Sequence, residues 1–130
     1  MSNKVSGFSK TVLVVEDERP IANALRLKLT RSGAKVEVVH NGTDALDKIK
    51  THQFDVLLLD LMIPQPDGFE ILEMIGQNSN LKKPGKIAVT SNLGQVEDIE
   101  KVKKIGAETF FVKADVSLQD IIDWVMFNKT

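Results

Sequence analysis

Residues 56–68 read VLLLDLMIPQPDG. The four apolar residues that open this stretch, 56–59, predict a strand that is covered on both faces of its sheet, since such strands are apolar throughout. Asp60 follows the strand directly, and Asp67 with Gly68 forms a turn that favours the start of a helix. A buried strand that leads into a helix is the unit from which parallel sheets are built.

The same unit recurs on both sides of this stretch. Short β-branched or apolar runs predict further strands, at residues 11–15, 35–39, 86–90 and 108–112. Apolar residues recur at helical spacing after each strand, and Pro20, Gly33 and Gly106 stand where helices begin or end. Five such units in one chain predict an α/β fold, with a mostly parallel sheet and helices on both of its faces.

Length and composition limit the possible functions. The 130 residues correspond to about one domain, which we assign to residues 10–129 behind an N-terminal tail at residues 1–9. With 17 basic and 18 acidic residues the net charge is −1, so no basic field attracts nucleic acid or an anionic membrane. The absence of cysteine excludes disulfides, thiolate metal sites and a cysteine nucleophile. No apolar run approaches the roughly 18 residues of a spanning helix, and residues 1–10 lack a signal peptide, so we expect a cytoplasmic domain.

Ligand sites in parallel sheets form beyond the carboxyl ends of the strands. Charged and hydroxyl side chains stand at these positions: Glu16, Asp17 and Glu18 after the first strand, Asp60 after the third, Thr90 and Ser91 at the end of the fourth, and Lys113 after the fifth. If the first and third strands are neighbours, three carboxylates converge and repel one another. A divalent cation with oxygen ligands relieves this repulsion, and Mg2+ is the natural candidate, with Mn2+ as the alternative.

This arrangement suits the transfer of a phosphoryl group. An aspartate such as Asp60 can act as a nucleophile and become an aspartyl phosphate. The reaction mainly requires positioning and stabilisation of the charge on the phosphoryl oxygens. A cation and the ammonium group of Lys113 can stabilise that charge, and the hydroxyl of Thr90 can donate a hydrogen bond.

Residues 60–68, DLMIPQPDG, resemble the phosphoacceptor loop of response-regulator receiver domains, and the pairs Glu16–Asp17 and Thr90–Ser91 and then Lys113 follow that family's order and spacing. The resemblance covers roughly residues 10–128. It implies a (βα)5 doubly wound, flavodoxin-like fold with the strand order 2-1-3-4-5. It also implies a two-component phosphorelay receiver, which accepts a phosphoryl group on Asp60 from a sensor histidine kinase or phosphotransfer protein and thereby switches the binding of a partner.

The resemblance implies a role for individual residues. Four are implied as metal ligands: Asp17 directly, Glu16 through water, Asp60, and Met62 through its backbone carbonyl. Three are implied to respond to the phosphoryl group: the hydroxyl of Thr90, the ammonium of Lys113 and the ring of Phe110. Glu18 is interpreted only as an acidic residue that favours a helix N-terminus. His40 and His52 are interpreted as surface residues without metal-ligand spacing.

The sequence departs from the family's usual pattern at two positions. Ala114 follows Lys113 where a proline is usual, often with a cis bond. A cis bond before a residue other than proline costs about 2.5–4 kcal/mol, so we predict a trans Lys113–Ala114 bond. Phe110 stands where a tyrosine is frequent, so its ring offers no phenolic hydroxyl to a partner.

Two other functions use related sites. A Mg2+-dependent phosphohydrolase of the haloacid-dehalogenase type also has an aspartyl nucleophile, but it needs a second aspartate as acid and base where this chain has Met62. A flavodoxin-like flavin carrier needs a neutral, hydroxyl-rich loop after the first strand, and the acidic residues 16–18 would repel its phosphate. We therefore expect a switch with intrinsic self-phosphorylation and self-dephosphorylation chemistry rather than an enzyme, whether the chain stands alone or belongs to a longer regulator.

The last predicted helix carries a candidate interaction surface. Four apolar residues follow helical spacing and are predicted to face the sheet: Leu118, Ile121, Ile122 and Val125. Trp124 and Phe127 belong, with Asp120 and Asp123, to a second set at helical spacing about 200° away, and they are predicted to face water as an aromatic patch for a downstream protein or a homodimer. The resemblance implies the same face, formed by the fourth helix, the fifth strand with Phe110, and the last helix. The alternative is that Trp124 folds back as part of the structure.

Overall fold

The computed structural model describes residues 9–92 and 94–127. Within these residues five strands alternate with five helices: β1 (Thr11–Val15), α1 (Arg19–Arg31), β2 (Lys35–Val39), α2 (Gly42–Thr51), β3 (Val56–Asp60), α3 (Gly68–Gln77), β4 (Lys86–Ser91), α4 (Val96–Lys104), β5 (Thr109–Val112) and α5 (Leu118–Phe127). The strands form one parallel sheet in the order β2-β1-β3-β4-β5, which confirms the predicted fold. Residues 1–8 of the predicted tail and residues 128–129 of the predicted domain lie outside the described residues. None of the helices described has the length and apolar composition needed to cross a membrane.

Each strand sends alternate side chains to two apolar layers, because successive residues of a strand point to opposite faces. In β1 and β3, Leu13 and Leu57 belong to the layer beneath α2, α3 and α4. Their neighbours Val14 and Leu58 belong to the layer beneath α1 and α5. All five residues of β3, the central strand, are buried, in agreement with the unbroken apolar run that predicts it.

The helix ends follow from the local sequence. Pro20 lies in the first turn of α1, where its missing N–H removes no helical hydrogen bond. After α1, Gly33 has a φ of 102°, a backbone conformation that residues other than glycine rarely adopt. Asp67 and Glu70 form a capping box at the start of α3, in which each side chain accepts a hydrogen bond from the other's backbone N–H. The turn at Asp67 is therefore structural, as the sequence predicts.

The prediction that Trp124 faces water is wrong. The residue is 4% exposed, and its ring packs edge-on against Phe111 with 6.1 Å between the ring centroids. The ammonium of Lys86 lies 4.1 Å from the centroid of the Trp124 ring and donates a hydrogen bond of 2.7 Å to the Trp124 carbonyl oxygen. Trp124 lies only about 60° around the helix from Ile121, at the border of the buried stripe, where a large ring still reaches the sheet. Phe127 is 58% exposed, as predicted.

We expect the two aromatic residues of α5 to differ in their effect on stability. Trp124→Leu should lower the free energy of unfolding by about 2 kcal/mol, because it removes buried ring area and the contact with Lys86. Phe127→Leu should change it by less than about 0.5 kcal/mol, since this ring is exposed. Urea denaturation followed by far-UV circular dichroism measures both values. Equal values for the two variants would contradict the burial of Trp124 in the core.

Candidate functional site

The polar residues at the strand ends meet on one side of the sheet. Four of these polar residues are Glu16, Asp60, Thr90 and Lys113. Each follows, by two positions, a strand residue whose side chain packs in the layer beneath α1 and α5. Because side chains along a strand repeat with a period of two residues, all four belong to the same face at the carboxyl edge. Glu16, Thr90 and Lys113 accordingly line a cavity of about 320 Å3 between α1 and α5. The side chain of Phe110 points to the opposite face of the sheet and packs against the layer beneath α2, α3 and α4.

The ammonium of Lys113 lies at the centre of this group. Its Nζ is 2.8 Å from Oε1 of Glu16, 2.9 Å from Oε2 of Glu18 and 3.0 Å from Oδ2 of Asp60. An ammonium group has three N–H donors, so these carboxylates occupy all of them. The side chains of Glu16 and Asp60 are 2% and 4% exposed, whereas that of Glu18 is 49% exposed. The structure thus brings Lys113 to the carboxylates of β1 and β3, as the strand-end pattern predicts.

Glu18 is the member of this group that sequence reasoning missed. It is the N-cap residue of α1, but its side chain makes no capping hydrogen bond within the described part of the chain. The side chain instead reaches Lys113, while the backbone N–H of Glu18 donates to Oε2 of Glu16 over 3.1 Å. A glutamate at a helix start is readily explained by the helix dipole. The sequence feature that could have indicated its contact with Lys113 is its position beside Glu16 and Asp17 at the end of the same strand.

Burial and the neighbouring charges together shift the pKa values of Glu16 and Lys113. Burial raises the pKa of Glu16 to about 7; the hydrogen bond from Lys113 counters this effect in part, and the neighbouring Asp60 adds to it. For Lys113, burial alone would lower the pKa, but the hydrogen bonds to the three carboxylates outweigh burial and raise the pKa above its ordinary value. Lys113 is therefore a permanent cation, surrounded by more negative charge than it can balance.

The excess negative charge lies where a divalent cation could bind. Carboxylate oxygens of Glu16, Asp17 and Asp60 lie within 4.8 Å of one another. Asp17 is exposed, so the cluster opens to solvent. Carboxylate oxygens are the hard donors that Mg2+, Mn2+ and Ca2+ prefer, so the donor set fits such an ion. Met62 adjoins the cluster, because its backbone N–H donates to Oδ1 of Asp60 over 3.1 Å.

Thr90 and Phe110 lie on neighbouring strands next to the carboxylates. Thr90 is buried and pairs with Asp60 in the register of β3 and β4. Its carbonyl oxygen accepts a hydrogen bond of 3.0 Å from the backbone N–H of Leu61. Phe110 is half-buried in the layer that α4 covers. The two predicted switch residues therefore lie on opposite faces of the sheet, one at the carboxylates and the other beneath the helices of the far face.

The loop after β3 is held close to the sheet. The backbone N–H of Gly68 donates to the carbonyl oxygen of Leu61 over 3.0 Å. A Cβ at position 68 would lie 2.6 Å from the Cα of Leu61 and 2.9 Å from the carbonyl oxygen of Asp60, so the loop requires glycine there. The Lys113–Ala114 bond is trans, as predicted; among the described residues the cis bond is Gln65–Pro66.

The two histidines differ in their surroundings. His40 is half-buried at the end of β2, and its Nδ1 lies 2.9 Å from the carbonyl oxygen of Glu16, to which a ring N–H at that position donates. His40 therefore reaches the surface only in part, and its ring supports the loop that carries the acidic residues. His52 is exposed, as predicted.

Comparison with known sequences gives one consistent family. The family model of the response regulator receiver domain matches residues 12–125, a range that contains every residue of the site described above. The response regulator ArlR of Staphylococcus aureus is 41% identical over 69 residues, which are 53% of this chain and 32% of that protein. The match therefore spans about a third of the length of this curated relative.

Two solved response-regulator structures share the fold of this chain. The receiver domain of the Francisella response regulator 1452 is similar to this chain with a TM-score of 0.81 and 27% identity, over 90% of this chain and 93% of that one. The chemotaxis response regulator CheY4 of Vibrio cholerae is similar with a TM-score of 0.78 and 27% identity, over 90% of this chain and 98% of that one. Both similarities cover nearly the whole described fold.

Proposed function

Because this chain belongs to the family of response regulator receiver domains, which act in two-component signalling, we propose that Asp60 is its phosphoacceptor. The observation that carries the assignment is the environment of this carboxylate. Oδ2 of Asp60 lies 3.0 Å from Nζ of Lys113, and the carboxylate belongs to the cluster with Glu16 and Asp17. The carboxylate of Asp60 thus lies next to the permanent cation Lys113 and belongs to a set of oxygen donors that suits a divalent metal ion.

In the proposed reaction an oxygen of Asp60 attacks the phosphorus of a phosphohistidine on a sensor histidine kinase or phosphotransfer protein. The O–P bond forms as the P–N bond breaks, and the electron pair of that bond leaves with the histidine nitrogen. Mg2+, held by the three clustered carboxylates and the backbone carbonyl of Met62, would supply positive charge to the phosphoryl oxygens. Lys113 supplies a further positive charge that does not depend on a bound ion.

The switch is proposed to act through β4 and α4. The hydroxyl of Thr90, which lies opposite Asp60 in the β3–β4 ladder, donates to a phosphoryl oxygen in this proposal. Of the nine residues of α4, all of which the structure describes, only Val102 is buried, so few apolar contacts hold this helix. A phosphoryl group that draws Thr90 towards Asp60 would shift the populations of α4 and Phe110 without a change of fold.

The output is proposed to be protein binding. With Trp124 in the core, the candidate aromatic residues of the face formed by α4, β5 and α5 are Phe110 and the exposed Phe127. A downstream protein or a second copy of the chain would bind this face. An enzymatic role has less support, because the phosphohydrolase alternative needs an acid where Met62 offers a thioether.

Intact-mass spectrometry after incubation with acetyl phosphate tests the proposed function. We expect the chain to gain one phosphoryl group when Mg2+ or Mn2+ is present. Removal of the metal with EDTA should slow this gain at least about tenfold, because the charge on the phosphoryl oxygens is then less well balanced. No gain with metal present, from a reagent that phosphorylates another receiver domain in parallel, would contradict the proposal.

A further inference from the structure

The three N–H donors of Lys113 are all in use, one by each of the carboxylates of Glu16, Glu18 and Asp60. An oxygen of a phosphoryl group on Asp60 gains a donor of its own from Lys113 only if a carboxylate gives one up. We propose that Glu18 is the carboxylate that leaves. Its side chain accepts a hydrogen bond from Lys113 until a phosphoryl oxygen takes its place. The inference rests on the proposed function, since it concerns Lys113 when Asp60 is phosphorylated.

Glu18 is the partner that is most easily removed from Lys113. The side chain of Glu16 is 2% exposed, so loss of the ammonium would leave a buried carboxylate without a counter-charge. Asp60 carries the phosphoryl group itself, so its own oxygen, 3.0 Å from Nζ of Lys113 in the free site, lies next to that group and can keep its hydrogen bond. The side chain of Glu18 is 49% exposed, and water can replace its hydrogen bond. Its backbone is held separately, because its N–H donates to Oε2 of Glu16. The side chain of Glu18 can therefore turn away while the loop keeps its shape.

The charge of Glu18 favours the same exchange. Glu18 is the N-cap residue of α1, so its released carboxylate stays near the positive end of the helix dipole, where negative charge is stabilised. While it remains on Lys113, this carboxylate competes with any anion for the same ammonium. A neutral side chain of equal size at this position should therefore strengthen the hold of the site on a phosphoryl group.

Beryllofluoride, a stand-in for the phosphoryl group, tests the exchange in the full chain. Amide-shift titrations measure its affinity at saturating Mg2+, and separately the affinity for Mg2+ alone. Glu18→Gln should bind beryllofluoride about threefold more tightly than wild type does. Its affinity for Mg2+ should stay within about threefold of the wild-type value, because Glu18 is not in the metal cluster. The control Glu73→Gln makes the same change of charge at an exposed position of α3, on the other face of the sheet, and should match wild type in both titrations.

Three results would overturn the exchange. If Glu18→Gln binds beryllofluoride with an affinity equal to or weaker than that of wild type, Glu18 does not leave Lys113. The phosphoryl group then takes over only the hydrogen bond that Lys113 donates to Asp60. A loss of Mg2+ affinity of about tenfold or more would make Glu18 part of the metal site. An equal gain in Glu73→Gln would show an effect of net charge only. Failure of the wild-type chain to bind beryllofluoride with Mg2+ present would contradict the proposed function itself, so the two failures are distinguishable.

Discussion

Replacing Asp60 with Asn should abolish phosphoryl uptake from acetyl phosphate, a loss of more than about a hundredfold in rate. The amide of asparagine is a poor nucleophile and cannot form the acyl phosphate that the proposed reaction requires. Glu16 and Asp17 remain in the cluster, so the metal site loses one ligand rather than all of them. Intact-mass spectrometry, in the presence of Mg2+, measures the rate for both proteins.

The matched control for this variant is Asp47→Asn. Asp47 is exposed on α2, so the same chemical change occurs away from the cluster and should leave the uptake at the wild-type rate. Far-UV circular dichroism shows whether both variants are folded. Uptake by Asp60→Asn at the wild-type rate, with the group mapped to another residue, would rule out Asp60 as the acceptor.

Replacing Lys113 with Met should damage both stability and switching. The nearly buried carboxylates of Glu16 and Asp60 lose their counter-charge, and breaking a buried pair in this way lowers the free energy of unfolding by about 3 kcal/mol or more. Protonation of Glu16, whose pKa is about 7 in the intact site, limits the loss. Beryllofluoride should also fail to shift the amide signals of residues 90–110, because the anion has lost the fixed cation that holds it beside Asp60, where it would draw in Thr90.

Lys103→Met is the control for this second variant, since Lys103 is exposed on α4 and the substitution is identical. Urea denaturation in EDTA at neutral pH compares the two proteins, and added Mg2+ should restore part of the stability lost in Lys113→Met by balancing the carboxylates. Two results would refute the role of Lys113: stability equal to that of Lys103→Met without metal, or undiminished amide shifts over residues 90–110 with beryllofluoride.

Most of the fold could be predicted from the positions where apolar runs begin and end. The run at residues 56–59 predicts β3, and the strand extends one residue further because Asp60 still pairs with Thr90 in β4. The convergence of the carboxylates and Lys113 was also predictable, since the carboxyl ends of parallel strands share one edge of the sheet. Because side chains alternate between the two faces along each strand, Thr90 and Phe110 fall on opposite faces of the sheet.

The features that were missed depend on packing between distant parts of the chain. The partner of Glu18 is 95 residues away in sequence, and no local pattern indicates that an exposed helix-cap glutamate reaches it. Trp124 lies at the border of the apolar stripe of α5, where helical spacing alone does not decide the outcome. Its burial depends on Phe111 and Lys86, which come from β5 and β4.

The environment of Trp124 also makes it an internal fluorophore for the fold. It is the single tryptophan of a chain that has no tyrosine, so near-ultraviolet excitation above the phenylalanine band selects one ring. In the native chain that indole is buried, edge-on to Phe111 and beneath the ammonium of Lys86. We expect its emission to move to longer wavelength when α5 separates from the sheet and water reaches the ring. The docking of the last helix can therefore be followed in real time, without a dye and without altering any residue at the carboxylates.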